Sequence, residues 1–390
     1  MSKTIRFQKS SLELLRDGLK KQKGISRKFK YIRFFQLAKK NEVVPFRLQR
    51  IAKEYTDDYF ADTGIARNEK EWFYRRGIPT FKTGWYGLTK DNYNNYISDF
   101  DFYHPKNYLR PQFSRWYDNK LTTYYLLSPF RASMPRHYFY IQEGILFPID
   151  AEFFRCGTDT DLVNIIRSRP VALKACIGGH GKGFYKVEFR ASSYCINGEP
   201  ASEQDVIRLI RSLDNYIMTS FSIPCSVFRR TCGDGSFAVI RTVTVFDKTD
   251  GPQITAIMIR LGTAKAGLVS DYDGSINCGV DLETGKLFDP LIRSGDADGI
   301  IVGTKLTEHP DTGVDLTTVM IPGFSKLTSL VKAISAHLPM TPYLVADLVP
   351  TESGFDILEI NSHGQVRNLE RYFPFRKNKY NLNVFITRDW

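Results

Sequence analysis

The chain divides by periodicity into a helical first third and a strand-rich remainder. In residues 11–21 and 29–39, Leu, Ile and Phe recur at spacings of three and four with basic residues between them. That spacing predicts two amphipathic helices. The Pro- and Tyr-rich stretch 79–111 is neither repetitive nor low in complexity, so it predicts a winding connection with short elements. From residue 171 the texture changes to VALKACI (171–177), GFYKVEF (183–189), SFAVIRTVTVF (236–246), QITAIMIRL (253–261), YLVADLV (343–349) and FDILEIN (355–361). These runs are short, rich in β-branched and aromatic residues, and bounded by Gly, Pro or Asp, so they predict strands. Helical spacing returns at 203–213 and 324–337, the latter between IPG and LPMTP, where Pro stops a helix. The expectation is an α+β fold with mainly hairpin-connected strands, not a regular alternation of strand and helix.

At 390 residues the chain exceeds one typical domain, and 42% hydrophobic residues with 25% charge allow a sizeable core. No apolar run approaches the roughly 18 residues needed to span a bilayer. The start, MSKTIRFQKSSLELL, lacks an apolar core followed by a small-residue cleavage site. A cytoplasmic protein is expected, with a peripheral place at the inner membrane face left open. The six cysteines, at 156, 176, 195, 225, 232 and 278, form no CxxC pair and read as reduced thiols, not a zinc site.

Charge changes the picture of the first segment. Residues 1–55 hold 16 Lys/Arg against 4 Asp/Glu, while the remainder holds 38 of each sign, so the net +12 belongs to this segment. An anionic membrane surface or an acidic polymer would suit it, and so would simple solvation of a basic helix face. Nucleic acid ranks last, because the excess ends near residue 55 and no nucleic-acid module is recognisable.

Three groups of residues carry candidate chemistry. Gly178, Gly179, Gly181 and Gly183 lie between two predicted strands, with Lys174 on the first of them. No helix follows, which argues against a Walker loop and a dinucleotide fingerprint. Such a loop either folds its N–H groups over phosphates or is a flexible hairpin tip. The second group is Asp347, central in an apolar strand, with Glu359 and Asn361, two apart on the next strand and so on one face. If the turn TESGF lets Pro350 oppose Asp356, Asp347 lies opposite Glu359. Two carboxylates and an amide oxygen then converge, as a hard cation such as Mg²⁺ requires; a salt bridge to a nearby Lys or Arg is the alternative. Third, Arg241 and Arg260 stand on apolar strand faces, where each would clamp a phosphate or developing oxyanion or else close an internal ion pair. No HExxH, HxxxH or GxSxG spacing occurs, so chemistry by positioning and charge stabilisation is expected.

Taken in order, these features resemble the ATP-grasp superfamily, and more closely its sugar-transfer associated branch, over roughly residues 110–375. SRWYDNKLTTYYLL resembles the segment of the first ATP-contacting lysine, which would be Lys120, and VALKACIGGHGKGFYKV the second lysine strand with its glycine-rich loop. DNYIMTSFS resembles the adenine-cupping hinge, SFAVIRTVTV the Arg strand, EHPDTG with IPGF a His-Pro-x-Thr-Gly element, and ADLVP with LEIN the metal ligands. Two departures stand out. The hinge has no carboxylate between Asp214 and Asp234, and SDYDGSINCG replaces the expected glycine-rich element after the RLG strand.

The resemblance implies an ATP-grasp fold, two α+β subdomains gripping ATP between antiparallel sheets, behind a helical N-terminal region. The implied divisions are 1–110, 111–220, 221–375 and a basic tail at 376–390. It implies ATP and Mg²⁺ as cofactors. Lys120, Lys174, Gly178, Gly179, Gly181, Lys182, Gly183, Met218, Thr219, Ser220 and Phe221 would meet the nucleotide, and Asp347, Glu359 and Asn361 the metal. Arg241 and Arg260 would act on the transferring group. The implied activity is ligation of a carboxylate to an amine, thiol or hydroxyl through an acyl phosphate, in polysaccharide or glycoconjugate assembly from sugar or amino-acid substrates. A kinase on the same fold, or a non-catalytic scaffold binding an anionic polymer or membrane, is the alternative. Substrate identity and oligomeric state stay open.

Overall fold

The computed structural model describes residues 10–108, 111–150, 158–178, 183–266, 274–295 and 301–388. Two compact units emerge: residues 1–108 with 294–303 and 373–390, and residues 109–293 with 304–372.

The first unit is helical, as the three-and-four spacing predicts. It contains α1 (Ser11–Lys20), α2 (Ile25–Lys40), α3 (Pro45–Phe60), α4 (Arg67–Tyr74), α5 (Phe81–Tyr86) and α6 (Asp99–Phe102). Ser10 and Glu13 form a capping box that starts α1. Gly24, at φ +83°, turns the chain into α2. The core is aromatic: Phe34 stands edge-on to Tyr55 and Tyr74, which stack on each other at 5.0 Å. Cations are buried with partners. Lys82 lies 3.1 Å from Asp99, and Lys70 donates to the carbonyls of Asp58 and Ala61. Among the described residues the stretch 79–111 holds short helical elements, as its composition implies.

The second unit carries two antiparallel sheets. Its helices and strands before the second sheet are α7 (Pro111–Tyr117), α8 (Lys120–Leu126), β1 (His137–Gln142), β2 (Ile145–Pro148), α9 (Asp159–Ser168), β3 (Val171–Ala175), β4 (Tyr185–Arg190), β5 (Ser193–Ile196), β6 (Glu199–Ala201), α10 (Glu203–Arg211) and β7 (Tyr216–Ser220). The first sheet runs β2-β1-β7-β3-β4-β5-β6. Leu173, Val171, Met218 and Phe139 face a core built with Leu162 and Ile166 of α9 and Val206 and Ile210 of α10. Capping boxes, Thr158 with Asp161 and Ser202 with Asp205, start both helices.

After α11 (Ser226–Cys232) come β8 (Ala238–Asp247), β9 (Gly251–Leu261), β10 (Ile276–Val280), β11 (Leu287–Gly295), β12 (Ile301–Lys305), α12 (Phe324–His337), β13 (Tyr343–Thr351), β14 (Gly354–Asn361) and α13 (Arg367–Glu370). The second sheet runs β12-β11-β10-β9-β8-β13-β14. One face is apolar: Ile240, Ile257, Ile259, Leu344, Leu348 and Ile357 pack with Leu327, Val331 and Ile334, which recur along one stripe of α12. The chain returns to the first unit with α14 (Lys379–Leu382). There Arg376 and Arg388 both reach Asp101. Among the described residues no helix is long and apolar enough to cross a membrane.

Lys82→Met should lower the unfolding free energy of the first unit by about 3–5 kcal/mol, because Asp99 would keep a buried, uncompensated charge. Urea unfolding checks this. Lys82→Met with Asp99→Leu should recover much of the loss, and an equal loss in the double variant would refute the ion-pair explanation.

Candidate functional site

Strand parity gives the second sheet its other face. Across it, Glu359 pairs with Asp347, Asp347 with Arg241, Arg241 with Met258, and Arg260, one step further along the same face of β9, with Asn277. A row of charged and amide side chains thus stands opposite the face packed on α12.

The hairpin register that produces this row differs from the expected one. Pro350 opposes Phe355, not Asp356, and Val349 opposes Asp356. Continued unbroken, that register would set Leu358 opposite Asp347. A β-bulge next to Asp347 makes Leu358 the extra residue, and Glu359 comes opposite Asp347.

Arg241 donates from Nε and Nη2 to the two Asp347 oxygens at 2.8 and 2.7 Å. Burial alone would raise the Asp347 carboxyl. Arg241, with Arg260 and a hydrogen bond with Glu359, instead holds it below the ordinary carboxylate range. Asn361 Nδ2 lies 3.4 Å from Glu359 Oε1, as their two-residue spacing requires. The donors are oxygens of the kind a hard cation takes, two carboxylates and an amide. Among the described residues no group of three or more His, Cys, Asp or Glu could hold a metal. A cation here would therefore need Asn361 and oxygens from a ligand.

Two lysines approach from the first sheet and α8. Asn119 caps α8, and the Lys120 N–H donates to the Cys176 carbonyl at 2.9 Å, which ties the helix start to the end of β3. Lys120 Nζ then donates to the Gly178 carbonyl at 3.2 Å and lies 3.4 Å from Glu359 Oε2. Lys174 is on β3, paired with Ile217. Burial, with the charge of Lys120 adding to it, lowers its ammonium to about 8 against the pull of Glu359 and Asp356. Lys120, Lys174, Arg241 and Arg260 thus surround Asp347 and Glu359. Cations outnumber the central carboxylates, and the site is suited to a polyanion.

Of the hinge segment, Met218 packs its side chain into the core of the first sheet, and its backbone pairs with Phe139 of β1 and Leu173 of β3. Thr219 pairs with Ala172, and Ser220 Oγ accepts the Arg136 N–H at 2.9 Å. Phe221 lies under Lys186 Nζ, 4.9 Å from the ring centre. Gly178 and Gly183 flank the loop, and Gly183, at φ +71°, needs its glycine. Gly179, Gly181 and Lys182 lie outside the described residues. The EHPDTG element braces the end of β9: His309, fully buried, bonds the Gly262 carbonyl through Nε2 at 2.9 Å, and Asp311 accepts the Ala264 N–H at 2.8 Å.

Four neighbours escaped the sequence reading. Asp118 contacts Ser362 beside Glu359 and Lys120; desolvation and the Glu359 charge raise its carboxyl. Asp356 is raised by burial and lies near Ser222, just past the hinge. That places a carboxylate where the hinge sequence has none. Lys186 shares the Lys174 face through its pairing with Ala172. Asn277 is buried next to Arg260, and among the described residues neither of its amide atoms has a hydrogen-bond partner. Polar residues within apolar strands were the available signal for Asp356, Lys186 and Asn277.

No curated protein matches the sequence. Solved structures include N5-carboxyaminoimidazole ribonucleotide synthetase with ADP, at 11% identity and TM-score 0.35, covering 64% of this chain and 46% of that one. An L-amino acid ligase from Bacillus licheniformis shares 8% identity at TM-score 0.36, covering 69% and 48%. D-alanine–D-alanine ligase from Bacillus anthracis shares 9% at 0.38, covering 69% and 66%. The chain thus spans under half the length of the first two. Residues 101–370, more than half the chain, match a single family, sugar-transfer associated ATP-grasp. The chain is a member of the sugar-transfer associated ATP-grasp family.

Proposed function

We propose that this protein is an ATP- and Mg²⁺-dependent ligase that joins a carboxylate to an amine through an acyl phosphate, in the assembly of a polysaccharide or glycoconjugate. The observation that carries the reading is the convergence of Lys120, Lys174, Arg241 and Arg260 on the Asp347–Glu359 pair. Family membership supports ATP as the nucleotide, and the family's sugar-transfer association supports the substrate class.

In this scheme a carboxylate oxygen of the substrate attacks the γ-phosphorus, the bond to the β-phosphate oxygen breaks, and ADP leaves. The amine then attacks the acyl carbon and inorganic phosphate departs, with the amine proton passing to a neighbouring base or to water. Lys120 and Lys174 neutralise phosphate oxygens. Bound Mg²⁺ supplies positive charge against the β- and γ-phosphates. Glu359 and Asn361 would hold it, with Asp347, held by Arg241, beside them. Arg241 and Arg260 stabilise the charge that develops there. We extend the proposal to the basic segment 1–55, whose partner we take to be an anionic surface.

Protein, Mg-ATP and candidate sugar or amino-acid carboxylates incubated with hydroxylamine should release ADP and trap a hydroxamate. ADP release without hydroxamate for every carboxylate would refute the acyl-phosphate route and favour transfer to a hydroxyl. Glu359→Gln and Asp347→Asn should each lower kcat by about 100-fold or more, the scale for losing one group that organises transition-state charge. Turnover within a few-fold of the unsubstituted protein would remove both residues from the chemistry.

Lys174 gives a pH signature. Its ammonium titrates near 8 in the free protein. Phosphates favour the charged form, so nucleotide affinity should be full below that pH and fall as pH rises through it, with proton uptake on binding. Calorimetry in buffers of different ionisation heat, across about pH 7 to 9, tests this. Lys174→Arg should flatten the profile, and an unchanged profile would show that another group titrates.

A further inference from the structure

The first unit presents a surface that its own fold does not use. Between Asp17 and Glu42 the sequence has no acidic residue, and nine Lys or Arg lie in the interval. Those turned toward the helical core are matched by acids: Arg27 with Asp57, and Lys30 and Arg33 with Glu71. Of the other six, Lys39 and Lys40 end α2 and four stand at the corner where α1 runs into α2. Lys20, Lys21, Lys23 and Lys28 are exposed there, and none enters an ion pair among the described residues.

Two large apolar side chains stand in the same corner. Ile25 is 88% exposed and Phe29 68% exposed, and they are one helical turn apart on a common face of α2. The core face of the same helix is formed by Tyr31, Phe34, Phe35 and Ala38, so Ile25 and Phe29 are surplus to folding. A soluble acidic polymer would satisfy the lysines and leave both apolar groups in water. An anionic bilayer satisfies both. Its headgroups meet the lysines, and the first apolar layer takes Ile25 and Phe29.

We propose that the α1–α2 corner, Lys20 to Phe29, is a docking surface for anionic lipid, with Ile25 and Phe29 entering the interface and Lys20, Lys21, Lys23 and Lys28 against the headgroups. This deepens the anionic-surface reading of residues 1–55 and is independent of the ligase chemistry. It fits an enzyme whose acceptor is presented at a membrane, for example on a lipid-linked glycan. Charge brings the protein to the surface and the apolar pair holds it there.

The full chain should co-sediment with vesicles of phosphatidylcholine and phosphatidylglycerol, and not with phosphatidylcholine alone. Added salt should weaken the binding. Ile25→Asp with Phe29→Asp should lower vesicle affinity by about tenfold or more. Lys21→Ser with Lys23→Ser should do likewise, at about tenfold. Both double variants should keep the circular dichroism and melting temperature of the parent, since these side chains are outside the core. Heparin serves as the acidic-polymer probe, and its binding should fall only with the lysine variant. Binding to heparin without binding to anionic vesicles would overturn the proposal in favour of a polymer partner. Vesicle binding that survives Ile25→Asp with Phe29→Asp would overturn it equally. ADP release by the same variants reports the ligase reading separately, because losing vesicle binding alone leaves that reading intact.

Discussion

A row of charge set on one face of a β-sheet is the constraint from which the rest of this structure follows. A carboxylate at Asp347 or a guanidinium at Arg241 is costly to bury alone, and each is tolerable only because the other lies opposite it in register. The pairing demands that β8 and β13 be neighbours, and that neither slip by a single residue. A slip would turn both side chains into the apolar layer beneath α12. The hydrophobic stripe of that helix and the polar row above it therefore fix each other.

The row needs the bulge next to Asp347. Hairpin geometry at Thr351–Gly354 sets one register, and the charge row needs another, one residue away. Leu358 absorbs the difference. Bulges increase local twist and re-aim side chains, which suits a position where Glu359 must face Lys120 across the gap from the first sheet. Lys120 in turn is held by a backbone bond to the end of β3, so Gly178, the lysine and the carboxylate form one chain of contacts. Crowding Lys174 into the same space lowers its ammonium, a cost that a phosphate ligand relieves.

The helical unit solves its problem differently. Its core is aromatic, and its buried cations are each matched to an acid or carbonyl. Once those matches are made, four lysines are left at one corner with two apolar side chains that folding does not require. Net charge in this chain is therefore a local property of one surface, not a general feature of its solubility.

Periodicity alone determined the helical first third, α12 to its end residues, and the strands that carry Lys174, Arg241, Asp347 and Glu359. These signals are local: each apolar side chain repeats at the period of its own element. The two-residue spacing also put Glu359 and Asn361 on one face. Contacts between distant segments were beyond it. The sequence offered Arg241 and Asp347 as separate features, each with an ion pair among its alternatives, and gave no sign that they pair with each other. Nothing local marked Leu358 as an extra residue, because a bulge arises from competition between a turn and a distant strand partner. Asp356 reaches Ser222, and Asp118 reaches Ser362, only after β14 has folded against segments more than a hundred residues away. The sequence settled which residues carry charge and which face of their own strand they occupy; the tertiary structure decided which charges meet, because that depends on register between strands remote in the chain.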